Sequence, residues 1–223
     1  FKFIFQPAEE GAPDGEAGGA RQMISEGVLE SPVPEVCIGL HVTAGPLGEY
    51  RLGQNRTTAS ADTFRLEITG KSTHAAFPWT GIDPVPVAAQ IISAWQTIPT
   101  RQVNLSQSMP PVITVGRIYG GHRHNILADS GVLEGTVRTV DNQQRDFVLQ
   151  RMSSISEGIA TAVGASVNIT LSSNNYIAGK NDASLVERIV PQLALISPYQ
   201  VTVDGGTCGT DDFGEYAHRV PGC

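Results

Sequence analysis

The chain has 223 residues, 40% of them hydrophobic and 17% charged, enough for one large domain or two small ones with real cores. Its formal net charge of −7 comes without long basic clusters, which excludes the electrostatic footprint of a nucleic-acid or anionic-membrane binder and leaves a small molecule or another protein as partner. No apolar run of about 18 residues is present to span a bilayer, and the start FKFIFQ lacks a basic leader and a long apolar core, so a cytoplasmic location is the expectation.

In chain order, an apolar strand KFIFQ leads through a Gly-rich turn to a helix over residues 20–26 and a second apolar strand over residues 36–42. Strand, helix, strand is the pattern of a parallel sheet. Cys37, inside VCIGLHV, reads as a buried thiol; with Cys208 and Cys223 it is one of 3 cysteines, too few and too scattered for a disulfide framework or a zinc knuckle. DTFRLEITG then reads as a strand in which Phe64, Leu66 and Ile68 alternate. Asp83 and Pro84 look like the cap and first residue of a helix whose face carries Pro84, Ala88, Ile91, Trp95 and Ile98. Two strands follow, PVITVGRI and GVLEGTVRT, and Asp141 with Gln144 three residues on opens a second helix with Val148, Met152, Ile155, Ile159 and Val163 as its buried stripe. SVNITLS closes this region as a strand, giving βαββαβ, the split arrangement of a ferredoxin-like domain. A helix over residues 182–195, a short strand YQVTV and the loop GGTCGTDDF are expected to return to the first sheet. The expected organisation is an α/β domain over residues 1–59 and 174–223, interrupted by an inserted domain at 60–173. Both ends read as cuts through something longer: FKFIF is a strand that normally has neighbours on both sides, and the chain stops abruptly after Pro221.

Glu9 and Glu10 sit side by side at the end of the first strand. Adjacent residues there point to different sides, so one carboxylate can face a cation while its neighbour faces the space beside it. That division suits a metal hydrolase, with one carboxylate on the ion and the other taking a proton from a polarised water. The bland alternative is a solvated loop pair, the usual fate of acidic residues. His41 ends the next strand of the same expected sheet, where α/β folds collect their ligands. His122 and His124, by contrast, resemble a metal pair by spacing only and read as solvated loop residues.

Taken together, FQPAEE, GGARQMISEGVL, IGLHV, ITGKSTHAAFPWTGIDP, GRIYGGHRHNILAD, LEGTVRT and DDFGEYAHRVPG resemble, in order and over nearly the whole chain, the M20 family of metal-dependent amidohydrolases and peptidases. The nearest likeness is to the subgroup that removes acyl groups from amino acids, such as hippurate, N-acetyl-amino-acid and indole-acetyl-amino-acid hydrolases. The resemblance implies that Glu9 is the general base, that Glu10 and His41 are metal ligands, and that His74 helps form the substrate site, commonly across a dimer. It also implies that Asn125 and Arg138 hold the substrate's carboxylate or carbonyl oxygen, and that the inserted domain is a ferredoxin-like lid and dimerisation unit. On residue type alone, His74 is a loop histidine, Asn125 a turn residue and Arg138 a solvent-facing charge, although Arg138's planar fork suits a carboxylate. The implied cofactor is a divalent metal, zinc first, with manganese, cobalt and nickel open. The implied partners are a small-molecule N-acyl amino acid and a second copy of the chain. Family members carry further ligands in an earlier segment and a late histidine, neither of which is here, and Asp211-Asp212-Phe213 stands where the subgroup usually has Glu-Asp-Phe. A catalytic zinc usually takes three protein ligands, and two are matched in this chain. A metal-dependent amidohydrolase present as a portion of itself, and an inactive dimerisation or interaction module, therefore both remain open.

Overall fold

The structure, a computed structural model, describes residues 1–11, 13, 18–106, 108–197 and 199–223. Its elements in chain order begin with α1 (Gly19–Ser25), β1 (Tyr50–Gly53), β2 (Asp62–Thr69), β3 (Thr73–His74), α2 (Pro84–Trp95) and β4 (Val112–Gly120). They continue with β5 (Ile126–Leu127), β6 (Ser130–Arg138), α3 (Asn142–Ala162), β7 (Ser166–Leu171), α4 (Ala183–Ile196), β8 (Val201–Asp204) and α5 (Gly214–Ala217). They fall into two compact units, a middle one of Ala61–Asn175 and an outer one of Phe1–Ser60 with Tyr176–Cys223. No helix among the described residues is long and apolar enough to cross a membrane.

The middle unit is a four-stranded antiparallel sheet in the order β4-β6-β2-β7, with α2 between β2 and β4 and α3 between β6 and β7. Alternation fixes its phase: Phe64, Leu66 and Ile68 of β2 are buried while their neighbours are exposed. Both helices start where local chemistry starts them, with the Asp83 carboxylate accepting from the Val85 N–H and the Asp141 carboxylate from the Gln144 N–H. Trp95 packs edge-on against Phe64 with ring centroids 5.2 Å apart, and its indole N–H donates to the Met152 carbonyl at 3.1 Å, so the largest core side chain joins β2, α2 and α3. The stripe of α3 differs from expectation. Its buried positions are Gln144, Val148, Met152, Ser156 and Ala160, a straight four-residue repeat, while Ile155 and Ile159 are partly buried and Val163 lies beyond the last turn, 48% exposed. Ser156 is tolerated inside because its hydroxyl donates to the Met152 carbonyl at 2.7 Å. At the unit's two ends, Asp62 and Asn175 meet: the fully buried Asp62 carboxylate takes two bonds from Arg145, at 2.6 and 2.7 Å, and one from the Asn175 amide at 3.3 Å.

The outer unit corrects the expected parallel sheet. Residues 1–6 form no strand, residues 36–42 are engaged only by a parallel bridge of Cys37 to Gly222, and the sole parallel ladder among the described residues joins β1 to β8. Phe1, Phe3, Phe5, Ile38, Leu40 and Val42 are exposed. An apolar run becomes a strand only where a neighbouring strand takes its N–H and C=O groups along its length; among the described residues, those of 36–42 find such partners only at Cys37 and Gly39, which bond the main chain of Pro221 and Cys223. The helix expected at residues 20–26 is α1, whereas the Gly-rich turn before it lies outside the described residues at 12 and 14–17. Cys37 is half-buried rather than buried, and burial pushes its thiol pKa up. The helix expected at 182–195 is α4, capped by Asp182.

Leu66→Ala, which opens a void between both helices and the sheet, should lower stability by about 3 kcal/mol, whereas Val163→Ala should change it by less than about 0.5 kcal/mol. Urea unfolding of the two variants checks this, and equal losses would contradict the straight α3 stripe.

Candidate metal centre

In the outer unit the chain returns from its far end to place three carboxylates together. One oxygen each from Glu9, Asp211 and Asp212 lies within 4.8 Å of the others, the only such group of three potential ligands among the described residues. Each is held differently. The Asp211 carboxylate accepts from the Phe213 N–H at 2.6 Å, a turn closed within the DDF motif. Both oxygens of Asp212 accept from the Gln6 side-chain amide at 2.8 Å, and one also accepts from the Ala20 N–H at 2.7 Å. Helix α1 begins after Gly18, which has no side chain to cap it, so Asp212 supplies from afar the acceptor that an ordinary cap supplies locally. Gly19 is required for this: its φ is +67°, and a Cβ there would lie 2.5 Å from the Asp212 oxygen. Next to the DDF motif, the Tyr176 hydroxyl donates to the Glu9 main-chain carbonyl at 2.8 Å, and the Tyr216 hydroxyl donates to the Gln6 side-chain carbonyl at 2.8 Å.

The electrostatics follow from that gathering. Burial raises the Glu9 pKa first, then Asp211, Asp212 and Glu10 raise it further by repulsion, while His41 pulls it down. Glu10 and His41 thus lie within electrostatic reach of Glu9, but both are exposed and neither joins a group of three ligands among the described residues. Nδ1 of His41 lies 2.6 Å from the Val42 carbonyl oxygen, which can only accept, so Nδ1 donates there and Nε2 is the nitrogen that faces away with a lone pair whenever the ring is unprotonated at that position. A metal-ligating histidine uses the same arrangement. Asp211 and Asp212 are absent from the sequence-derived site; their link to Glu9 crosses nearly the whole chain and leaves no local signal.

The remaining expected residues lie in the middle unit. His74 is not in a loop but in the two-residue strand β3, facing Ile126 of β5, and the Ala75 N–H donates to the Asn125 carbonyl at 3.0 Å, so His74 and Asn125 are brought together. Nδ1 of His74 accepts from the Ala76 N–H at 3.1 Å, leaving the neutral ring's proton on Nε2, the tautomer opposite to that of His41. Arg138 is elsewhere. It closes β6 in register with Val112 of β4, while β5 precedes the other end of that 9-residue strand, a separation of about 27 Å. Within one unit, Asn125 and Arg138 therefore do not grip a single carboxylate. His122 and His124 are exposed.

The fold of the middle unit has known relatives. Residues 57–161 match the peptidase dimerisation domain of the M20 group. Among proteins similar to the chain, N-acetyl-L-cysteine deacetylase of Bacillus subtilis is 35% identical over 99% of this chain and 51% of its own length, and N-acetyldiaminopimelate deacetylase of Exiguobacterium sibiricum is 33% identical over 99% and 57%. A dinuclear metal binding peptidase from the M20 family of Bacillus subtilis superposes with a TM-score of 0.76 at 30% identity, covering 99% of this chain and 53% of that one. The chain therefore spans about half the length of the relatives it matches.

Tyr216 offers a direct check on this site. Burial, with Asp212 and then Cys37 nearby, pushes its pKa up to about 12. The phenol ionises in the unfolded chain near pH 10, so the stability it contributes is complete below pH 10 and is lost as pH rises toward 12. Denaturation of the wild type should ease over that interval, and Tyr216→Phe should remove that part of the pH dependence; an unchanged slope would contradict the buried hydroxyl.

Proposed function

We propose that this chain is part of an M20-type metal-dependent amidohydrolase that cleaves the amide of N-acyl amino acids, carrying the general base and two metal ligands of its centre. The observation that carries the reading is Glu9, a carboxylate of raised pKa beside a histidine whose Nε2 lone pair is available. The deacetylase relatives supply the reaction class. The donors fit a divalent ion: carboxylate oxygens and one imidazole suit zinc, manganese, cobalt or nickel. Glu10 and His41 would hold it, and it would supply a polarised water and a polarised carbonyl. Glu9 would take a proton from the water that attacks the amide carbon and give it to the amine nitrogen as the C–N bond breaks, a task that a carboxylate of raised pKa performs nearer neutral pH. His74, with its proton on Nε2, donates to the substrate carbonyl oxygen; Asn125 next to it shares that role, and Arg138 takes the substrate carboxylate in a two-pronged contact. Because His74 and Arg138 stand at opposite ends of the middle unit, the pair that serves one substrate comes from two copies, which gives the dimerisation domain a catalytic purpose. An inactive dimerisation module keeps the middle unit's role but leaves the raised pKa of Glu9 without a use.

In the whole protein, Glu9→Gln should abolish turnover of N-acyl amino acids while bound metal, measured by elemental analysis, stays constant; an unchanged rate would remove Glu9 as the base. Arg138→Glu should raise KM at least about tenfold for substrates with a carboxylate and much less for their esters. Equal losses on both substrates would refute the carboxylate contact.

A further inference from the structure

Three separate anchors hold the short segment that leads to Glu9. Its Gln6 side chain donates to both oxygens of Asp212 and accepts from Tyr216, its Pro7 carbonyl accepts from the Gly19 N–H at 3.0 Å, and its Glu9 carbonyl accepts from Tyr176. Two of the three lead to the same place, because Asp212 also binds the Ala20 N–H next to Gly19. Among the described residues, the segment has no strand ladder to fix it, so these contacts replace one. We infer that Asp212 and Gln6 are positioning residues: acting as one hydrogen-bonded unit, they seat the chain before Glu9 against the start of α1 and so set where the Glu9 carboxylate stands. This rests on the reading of Glu9 as the base.

Asp212 also belongs to the carboxylate group and is a competing candidate for a metal ligand. The hydrogen bonds argue otherwise: one oxygen is engaged by Gln6 and the other by Gln6 and Ala20 together, so three of its roughly four lone-pair sites are taken by N–H donors and both oxygens are oriented toward them. An asparagine separates the two roles. Its side-chain oxygen can still accept from Ala20, and a turned Gln6 amide can accept from its NH2 while donating to the Tyr216 oxygen; a metal, however, loses its carboxylate.

The test uses Asp212→Ala, Asp212→Asn, Gln6→Met and the Asp212→Ala/Gln6→Met double variant. In the 223-residue chain, amide hydrogen exchange at Ala20 should speed up about tenfold in Asp212→Ala, the loss of one net hydrogen bond, and residues 6–10 should loosen in both Asp212→Ala and Gln6→Met. In the whole protein both single variants should lower kcat by about 10- to 100-fold with little change in KM and with metal retained, Asp212→Asn should recover most of the loss, and the double variant should be no worse than the poorer single one. Additive losses would overturn the shared unit, and metal lost equally from Asp212→Ala and Asp212→Asn would make Asp212 a ligand instead. Full turnover in Glu9→Gln would remove the base assignment alone, since the exchange data decide the hydrogen-bonded unit independently.

Discussion

A unit inserted into the middle of another chain segment must keep its entry and exit side by side, and here one buried carboxylate does so. Asp62 opens β2 and Asn175 ends the unit; the Asp62 carboxylate accepts from the Asn175 amide and from Arg145 of α3, whose two-pronged bond has no solvent on the acid's side. That bond also raises the guanidinium pKa, so the charge is present at every accessible pH. Removing either partner strands a buried charge, a penalty of roughly 3–5 kcal/mol. The placement of Phe64, Leu66 and Ile68 follows from it, because β2 is one of the two inner strands and its phase is set from Asp62 onward. A sheet face fixed in this way gives α2 and α3 one apolar surface to share, and Trp95 is the side chain that joins all three layers.

The outer unit is organised on a different principle. Its apolar segments are short of partners, and its order comes from polar contacts between residues distant in the chain: Gln6 with Asp212, Arg21 with Glu215, and Lys2 with the carbonyls of Val28 and Glu30. Such contacts depend strongly on geometry, and each is worth about 1 kcal/mol net. They bring carboxylates close enough to repel, an arrangement that favours a bound proton or cation in the space between them.

Two helix starts are legible in the sequence because capping is local: Asp83 and Asp141 each take an N–H within three residues. The alternation of β2 was legible for the same reason, since a period of two needs no partner to be seen. The strands read in KFIFQ and VCIGLHV failed because a ladder is a property of two segments, and the described residues hold only a single bridge for one of them. At the site, adjacency drew attention to Glu9 and Glu10, and the end of an apolar run drew attention to His41. Asp212, by contrast, acquires its role only by closing on Gln6, 206 positions away. His74 is intermediate: its residue type is visible in the sequence, but its pairing with β5 lies across α2 and β4, which no local pattern connects.

The division of the chain has a temporal side. Residues of the middle unit are contiguous, so during synthesis that unit has all of its strands once Asn175 has emerged, and its sheet can close while the rest of the chain is still being made. The outer unit must wait. Its ladder pairs Tyr50 with Val201, and its carboxylates come from both sides of the insertion, so the earliest-made residues stay open until the latest-made ones arrive.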